Sequence, residues 1–198
     1  AAASETYAAL GTPRLARQGI TSYEANLHRD WCWGRDENEA ALAAVDAIVA
    51  PIQRPRRLLV LGSGAGRLAY DLHRHWRCET TVALDHAPLP TFVAARTARG
   101  ETLALHEFPL APRGLADQAV SRRLAAPAPA PPGLVHLLGD ALQPPLRAGT
   151  FDAVLTPWLL DVLASPPESL ARVVNRLLAP GGAWLYFGSA NFMHPDPS

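Results

Sequence analysis

At 198 residues, 48% of them apolar, the chain is long enough for one globular domain with a sizeable core. Its 18 basic residues balance its 18 acidic ones, which argues against a nucleic acid or an anionic membrane surface as partner and for a small-molecule ligand. Every basic residue is an arginine, so a Schiff-base lysine, a P-loop lysine and a lysine general base are excluded outright.

Cys32 and Cys78 stand apart and belong to no CxxC or Cys/His cluster, so they suggest neither zinc nor a disulfide, and a reducing cytoplasm is the default expectation. The opening AAASETYAAL lacks the charged n-region and long apolar core of a signal peptide. No apolar run approaches the ~18 residues of a membrane-spanning helix.

In chain order, Asp36 and Glu39 have capping-box spacing before Leu42, Val45, Ile48 and Val49, which predicts a helix running to about Ala50. Pro51 and Pro55 end it, and Arg57 to Leu61 reads as a short buried strand that meets a glycine loop at Gly62. Leu68, Leu72 and Trp76 lie one helical turn apart, so the loop opens directly into a helix, with His73 and His75 expected on its solvent side. Thr80 to Asp85 is a second strand, and Pro88 to Arg99 supplies the next helix. Further strands are expected at Leu134 to Leu138, Phe151 to Thr156 and Ala183 to Gly188.

Between the last two, Ser165-Pro166-Pro167-Glu168 combines a capping box with proline at the first helical position, and Leu170, Val173, Val174, Leu177 and Leu178 form the buried stripe. Residues 101–133 break the rhythm and end in the Ala-Pro repeats of Ala125 to Pro132, a composition that predicts a stiff, extended surface loop.

Alternating strands and helices predict an α/β fold, a Rossmann-like open parallel sheet with helices on both faces and ligands at the carboxyl ends of the strands. The chain then divides into an N-terminal helical cap segment, 1–50, and a ligand-binding domain, 51–198, with an insertion at about 101–133.

The chemistry should therefore sit just after strands. Gly62-Ser63-Gly64-Ala65-Gly66-Arg67-Leu68 lets the backbone turn tightly and approach a ligand without β-carbons in the way, against the plainer alternative of a packing turn. Read from Gly64 the residues also satisfy GxGxxA, with Asp85 about twenty residues on, so the stretch is equally consistent with a nicotinamide dinucleotide site. Asp85, at a strand end, suits two ribose hydroxyls; its structural alternatives are a helix N-cap and a solvated loop acid. Asp140, after Gly139, is placed to meet an adenine edge or else to form a turn.

Arg67 suits the methionyl carboxylate of S-adenosylmethionine, although exposure is the commoner fate of such an arginine. Asp161 lies in the apolar run Thr156-Pro157-Trp158-Leu159-Leu160-Asp161-Val162-Leu163. It is either a surface residue at a helix turn or a group facing a pocket, where it would need a donor such as an imidazole or amine to remain charged. Trp158 follows a strand end, and Trp31 lies in an N-terminal segment able to close over a site.

These residues resemble the carnosine N-methyltransferase family, whose members transfer a methyl group from S-adenosylmethionine to an imidazole nitrogen of a histidine-containing dipeptide. The resemblance runs through Arg29-Asp30-Trp31, the glycine loop Gly62 to Asp71, His106-Glu107-Phe108, Ala116-Asp117-Gln118, Phe151-Asp152 through Asp161, and Leu178-Ala179-Pro180-Gly181-Gly182-Ala183-Trp184. It implies cofactor contacts for Gly62, Gly64, Arg67, Asp85 and Asp140, an imidazole-orienting role for Asp161, and substrate contacts for Trp158 and His194. Asp85 stands where the family has glutamate, in a Leu84-Asp85-His86-Ala87 context, and His194 is offset by one residue from the family's histidine. The sequence given also ends before the family's final antiparallel strands, which would leave the strand at 183–188 with an edge inviting a partner or a second copy. Competing classes are another small-molecule methyltransferase, a nicotinamide-dependent oxidoreductase and a non-catalytic binding protein.

Overall fold

The computed structural model describes residues 24–50, 53–108, 112–163 and 165–188. Helix α1 (Glu24–His28) runs into a wide π-helical turn, Arg29–Trp33, and then α2 (Arg35–Val49). There follow β1 (Arg57–Leu61), α3 (Arg67–Trp76), β2 (Thr80–Asp85), α4 (Pro88–Ala98), β3 (Leu103–Glu107), β4 (Val120–Leu124), β5 (Leu134–Leu138), β6 (Phe151–Pro157), α5 (Pro167–Leu177) and β7 (Leu178–Phe187). Strands β5-β2-β1-β6-β7 form one parallel sheet in that order.

This is the expected Rossmann-like sheet, and side-chain alternation builds its two faces. Leu58 and Val60 of β1 pack with Val45, Val49, Leu72 and Trp76 of α2 and α3. Leu59 and Leu61 pack on the opposite face with Leu170, Val174 and Leu177 of α5. The chain steps outward from β1 to β2 and β5, then returns to β6 on the other side of β1. That reversal opens a crevice at the carboxyl ends of β1 and β6.

Both capping boxes fail although their helices form. Helix α2 starts after Gly34, whose amide bonds Arg29 O at 2.7 Å, so Asp36 lies inside the first turn and caps nothing. Helix α5 starts at Pro167 after an extended Pro166, with no side-chain cap from Ser165. Strand β7 begins where α5 ends, at Leu178 rather than Ala183, because a register irregularity between Phe151 and Ala153 accommodates the Pro-Gly-Gly turn.

Among its described residues, the 101–133 stretch is not loop throughout. Strands β3 and β4 pair antiparallel from Leu103↔Leu124 to Glu107↔Val120, and Leu124 is fully buried with Leu27 and Trp31. The half-buried face of this short hairpin is covered by the N-terminal helices, which no local pattern reveals. Its Ala-Pro tail packs on α3 and α4: Ala128 O accepts from the Tyr70 hydroxyl at 2.5 Å, and Ala130 N donates to Ala98 O at 2.7 Å. His73, expected to face solvent, is buried there between Thr81 Oγ1 at 2.9 Å and Pro131 O at 3.3 Å.

His136 of β5 faces the start of α3, its Nε2 3.2 Å from where a β-carbon on Gly66 would lie. Burial, aided by the charge of Arg99, pushes its pKa from 6.5 down to about 4. A depressed folded-state pKa contributes stability that is present above pH 6.5 and lost as pH falls through about 4. His136→Leu should flatten this limb of a urea-midpoint profile between pH 7 and 4; an unchanged slope would place the acid sensitivity elsewhere.

Among the described residues, no helix is long and apolar enough to cross a membrane.

Candidate active site

An open cleft of about 790 Å³ lies over the carboxyl ends of β1, β2 and β6. Its volume is in the range of small-molecule and cofactor sites. The glycine loop forms its floor. Gly62 N and Ser63 N both donate to Leu84 O, at 2.9 and 3.0 Å, which ties the loop to the end of β2. Gly64, at φ +55°, has only open space where a β-carbon would be, so a ligand can approach its backbone closely.

Asp85 is 5% exposed and accepts from Gly64 N at 2.7 Å and Ala87 N at 2.8 Å. Burial raises its pKa, while those amides and the neighbouring His86 oppose the rise. A carboxylate offers about four acceptor positions, so capacity remains for a ligand hydroxyl at the cleft wall. Asp85 therefore braces the loop and lines the cleft; it does not cap α4, whose N-cap is Ala87 with no side-chain cap.

The N-terminal segment supplies the opposite wall with Asn26, Arg29, Asp30, Glu37 and Asn38. Asp30 is 7% exposed; burial raises its pKa against the attraction of Arg29, whose Nε lies 2.8 Å from Asp30 Oδ1. Arg29 itself is about one-third exposed at the cleft. The indole of Trp31 is buried and donates to Ala65 O at 2.7 Å, so it pins this segment to the glycine loop.

At the far end stand Pro157, Trp158, Leu159, Val162 and Phe187. Trp158 has φ +46°, a costly conformation for a bulky side chain and one that clusters at functional sites. It is held there by its amide's bond to Phe187 O at 2.8 Å and by edge contact with the Phe187 ring at 4.6 Å.

The structure thus gathers Gly62, Gly64, Asp85 and Trp158 around one cleft. Arg67 is not in its wall; its guanidinium donates to Asp71 and to the carbonyl of Asp30. Asp140 is not in the wall either, and its Oδ1 accepts from Leu142 N at 2.8 Å in a turn after β5. Asp161 lies between the wall residues Leu159 and Val162 without lining the cleft, and its charge, second to burial, raises the pKa of Tyr186. His194 lies outside the described residues. The sequence assigns no role to Arg29, Glu37, Asn38 or His86; the Arg29-Asp30-Trp31 motif and the place of Trp31 in a segment able to close over a site are the signals pointing to that wall.

The sequence matches the family described as a methyltransferase domain over residues 59–186, more than half of the chain. The chain belongs to that family. S-adenosylmethionine is accordingly the cofactor of this domain, and the nicotinamide reading gives way.

Among solved structures, the fold is similar to SAM-bound CalS10, an amino pentose methyltransferase of Micromonospora echinaspora (TM-score 0.52, 20% identity, 87% of this chain and 58% of that one). It is also similar to the PH0226 protein of Pyrococcus horikoshii (TM-score 0.56, 16% identity, 85% and 66%) and the YjhP protein of E. coli (TM-score 0.51, 19% identity, 84% and 53%). The chain spans about half the length of the first solved structures it resembles, 46% to 54% of each. No curated protein matches it.

Proposed function

We propose that this domain binds S-adenosylmethionine along the cleft and methylates a nitrogen of a small imidazole-containing compound of the carnosine type. The observation that carries the reading is the opposition, across one cleft, of a carboxylate-braced glycine loop and an arginine on the N-terminal π turn. Gly62, Gly64 and Asp85 would hold the adenosine end, with Asp85 meeting the ribose hydroxyls and Asp140 shaping the turn beside the adenine. Arg29, rather than Arg67, has the exposure and position to pair with the methionyl carboxylate.

S-adenosylmethionine supplies a methyl group already bonded to a sulfonium leaving group, so the protein's task is alignment and proton handling. Asp161, beside the wall residues Leu159 and Val162, would turn its carboxylate into the cleft to accept the N–H of the acceptor imidazole, which fixes the tautomer that leaves a lone pair on the other nitrogen. Trp158 and Phe187 offer ring surfaces against which a flat heterocycle can stack. His194 would contribute a further substrate contact.

The test is calorimetric titration of the chain with S-adenosylhomocysteine, with NAD as control, followed by a methyl-transfer assay on imidazole dipeptides and simple amines. Micromolar binding of the homocysteine compound alone, with transfer to imidazole, is expected. Cofactor binding without transfer to any acceptor would instead favour a non-catalytic relative, and transfer to amines alone would overturn the acceptor. Asp161→Asn should lower transfer on the order of a hundredfold, the scale of one lost acid–base contribution, with S-adenosylhomocysteine affinity nearly intact. Parallel loss of affinity would move Asp161 to the cofactor side.

A further inference from the structure

Arg67 opens α3 directly beneath the π turn that carries Arg29 and Asp30. Its Nε donates to Asp71 Oδ2 at 2.8 Å, one helical turn along, and its Nη1 donates to the main-chain carbonyl of Asp30 at 2.7 Å. The guanidinium carbon stands 5.5 Å from the Trp31 ring centroid and 5.8 Å from that of Tyr70, two rings that meet edge to face. Only 12% of the side chain is accessible. Burial raises the pKa of Asp71, and the Arg67 charge and hydrogen bond act against that rise.

We infer that Arg67 is a positioning residue, a strut that locks the π turn and therefore Arg29 over the cofactor cleft without touching the cofactor. The inference rests on the cofactor reading of the cleft. A planar fork suits the task because it serves the carboxylate and the carbonyl while its face lies against the aromatic rings; a lysine ammonium has no plane to stack. Trp31 closes the same bracket from the other side through its bond to Ala65 O. Without the strut the π turn is released from the loop, and apparent affinity falls by the fraction of molecules in which it is docked.

The test compares Arg67→Met and Arg67→Lys with the unaltered chain, using S-adenosylhomocysteine and 5′-methylthioadenosine, which keeps the adenosine but lacks the amino-acid carboxylate. Calorimetry should show Arg67→Met weakening S-adenosylhomocysteine on the order of tenfold, for a docked fraction reduced to about a tenth, while 5′-methylthioadenosine, which has no carboxylate for Arg29 to meet, changes little. Hydrogen exchange of the ligand-free protein should accelerate over residues 26–33 while the β1 amides stay protected. Arg67→Lys should fall between, and it carries the test if the methionine variant does not fold. Arg29→Met should likewise weaken S-adenosylhomocysteine alone, but without accelerating exchange over residues 26–33.

Loss of S-adenosylhomocysteine affinity with unchanged exchange over residues 26–33 would show direct pairing of Arg67 with the carboxylate and overturn the strut. So would equal weakening of both nucleosides, which would place the effect on the adenosine side. If the unaltered chain binds neither nucleoside, the cofactor reading falls, and the exchange measurement still decides whether Arg67 holds the turn.

Discussion

Alanine at Gly133 is expected to lower the unfolding free energy by about 3–5 kcal/mol, combining left-handed backbone strain with overpacking. Gly133 precedes β5 at φ +105°, and a β-carbon there would lie 2.1 Å from the main-chain oxygen of Glu79. Its own carbonyl accepts from Thr81 N at 2.9 Å, the first rung between β2 and β5. Backbone lies on both sides, so the neighbour cannot swing aside as a flexible side-chain tip would. Urea unfolding checks this directly. A loss below about 1 kcal/mol, the size of an ordinary surface effect, would mean that this turn can move. Gly149, also at positive φ, has open space around it and should lose only the strain contribution on the same substitution.

Replacing Asp85 by alanine should cost both stability and cofactor. The change strands the buried amide of Ala87 and the part-buried amide of Gly64, which predicts a loss of about 2–3 kcal/mol even without ligand. It also removes the acceptor proposed for the ribose, which should weaken S-adenosylhomocysteine on the order of a hundredfold, about 2.7 kcal/mol. Asp85→Asn keeps one acceptor oxygen and should fall between. Urea unfolding and calorimetry on the same samples separate the two losses. Weakened binding at unchanged stability would make Asp85 a ligand contact alone, and lost stability at unchanged affinity would make it a brace alone.

The sheet was legible because buried parallel strands write their own signal. Arg57 to Leu61, Thr80 to Asp85 and Leu134 to Leu138 are short apolar runs bounded by proline, glycine or acid, and each became a strand with those bounds. The glycine loop and Asp85 were legible for a related reason, since a strand end followed by glycines and a helix places them at a crevice by topology alone. Local chemistry misled where a longer-range partner took its place. Asp36 and Ser165 have the right spacing to cap helices, yet Gly34 turns back on Arg29, and Pro166 enters α5 already extended.

What only the tertiary structure decided was which distant groups share a boundary. Residues 101–133 read as loop because their hairpin has a half-buried face whose cover, α1 and the π turn, lies some seventy to ninety positions earlier in the chain. Arg67 read as a cofactor ligand from its place after the glycines, but the carbonyl of Asp30 and the rings of Trp31 and Tyr70 already surround it. Arg29, carried by the docked N-terminal segment, lines the cleft. Periodicity and turn residues report a segment's own backbone and its burial, and those the sequence determined. Which side chain meets the cleft depends on how the N-terminal segment docks, and that is settled by contacts such as Trp31 with Ala65, 34 residues apart.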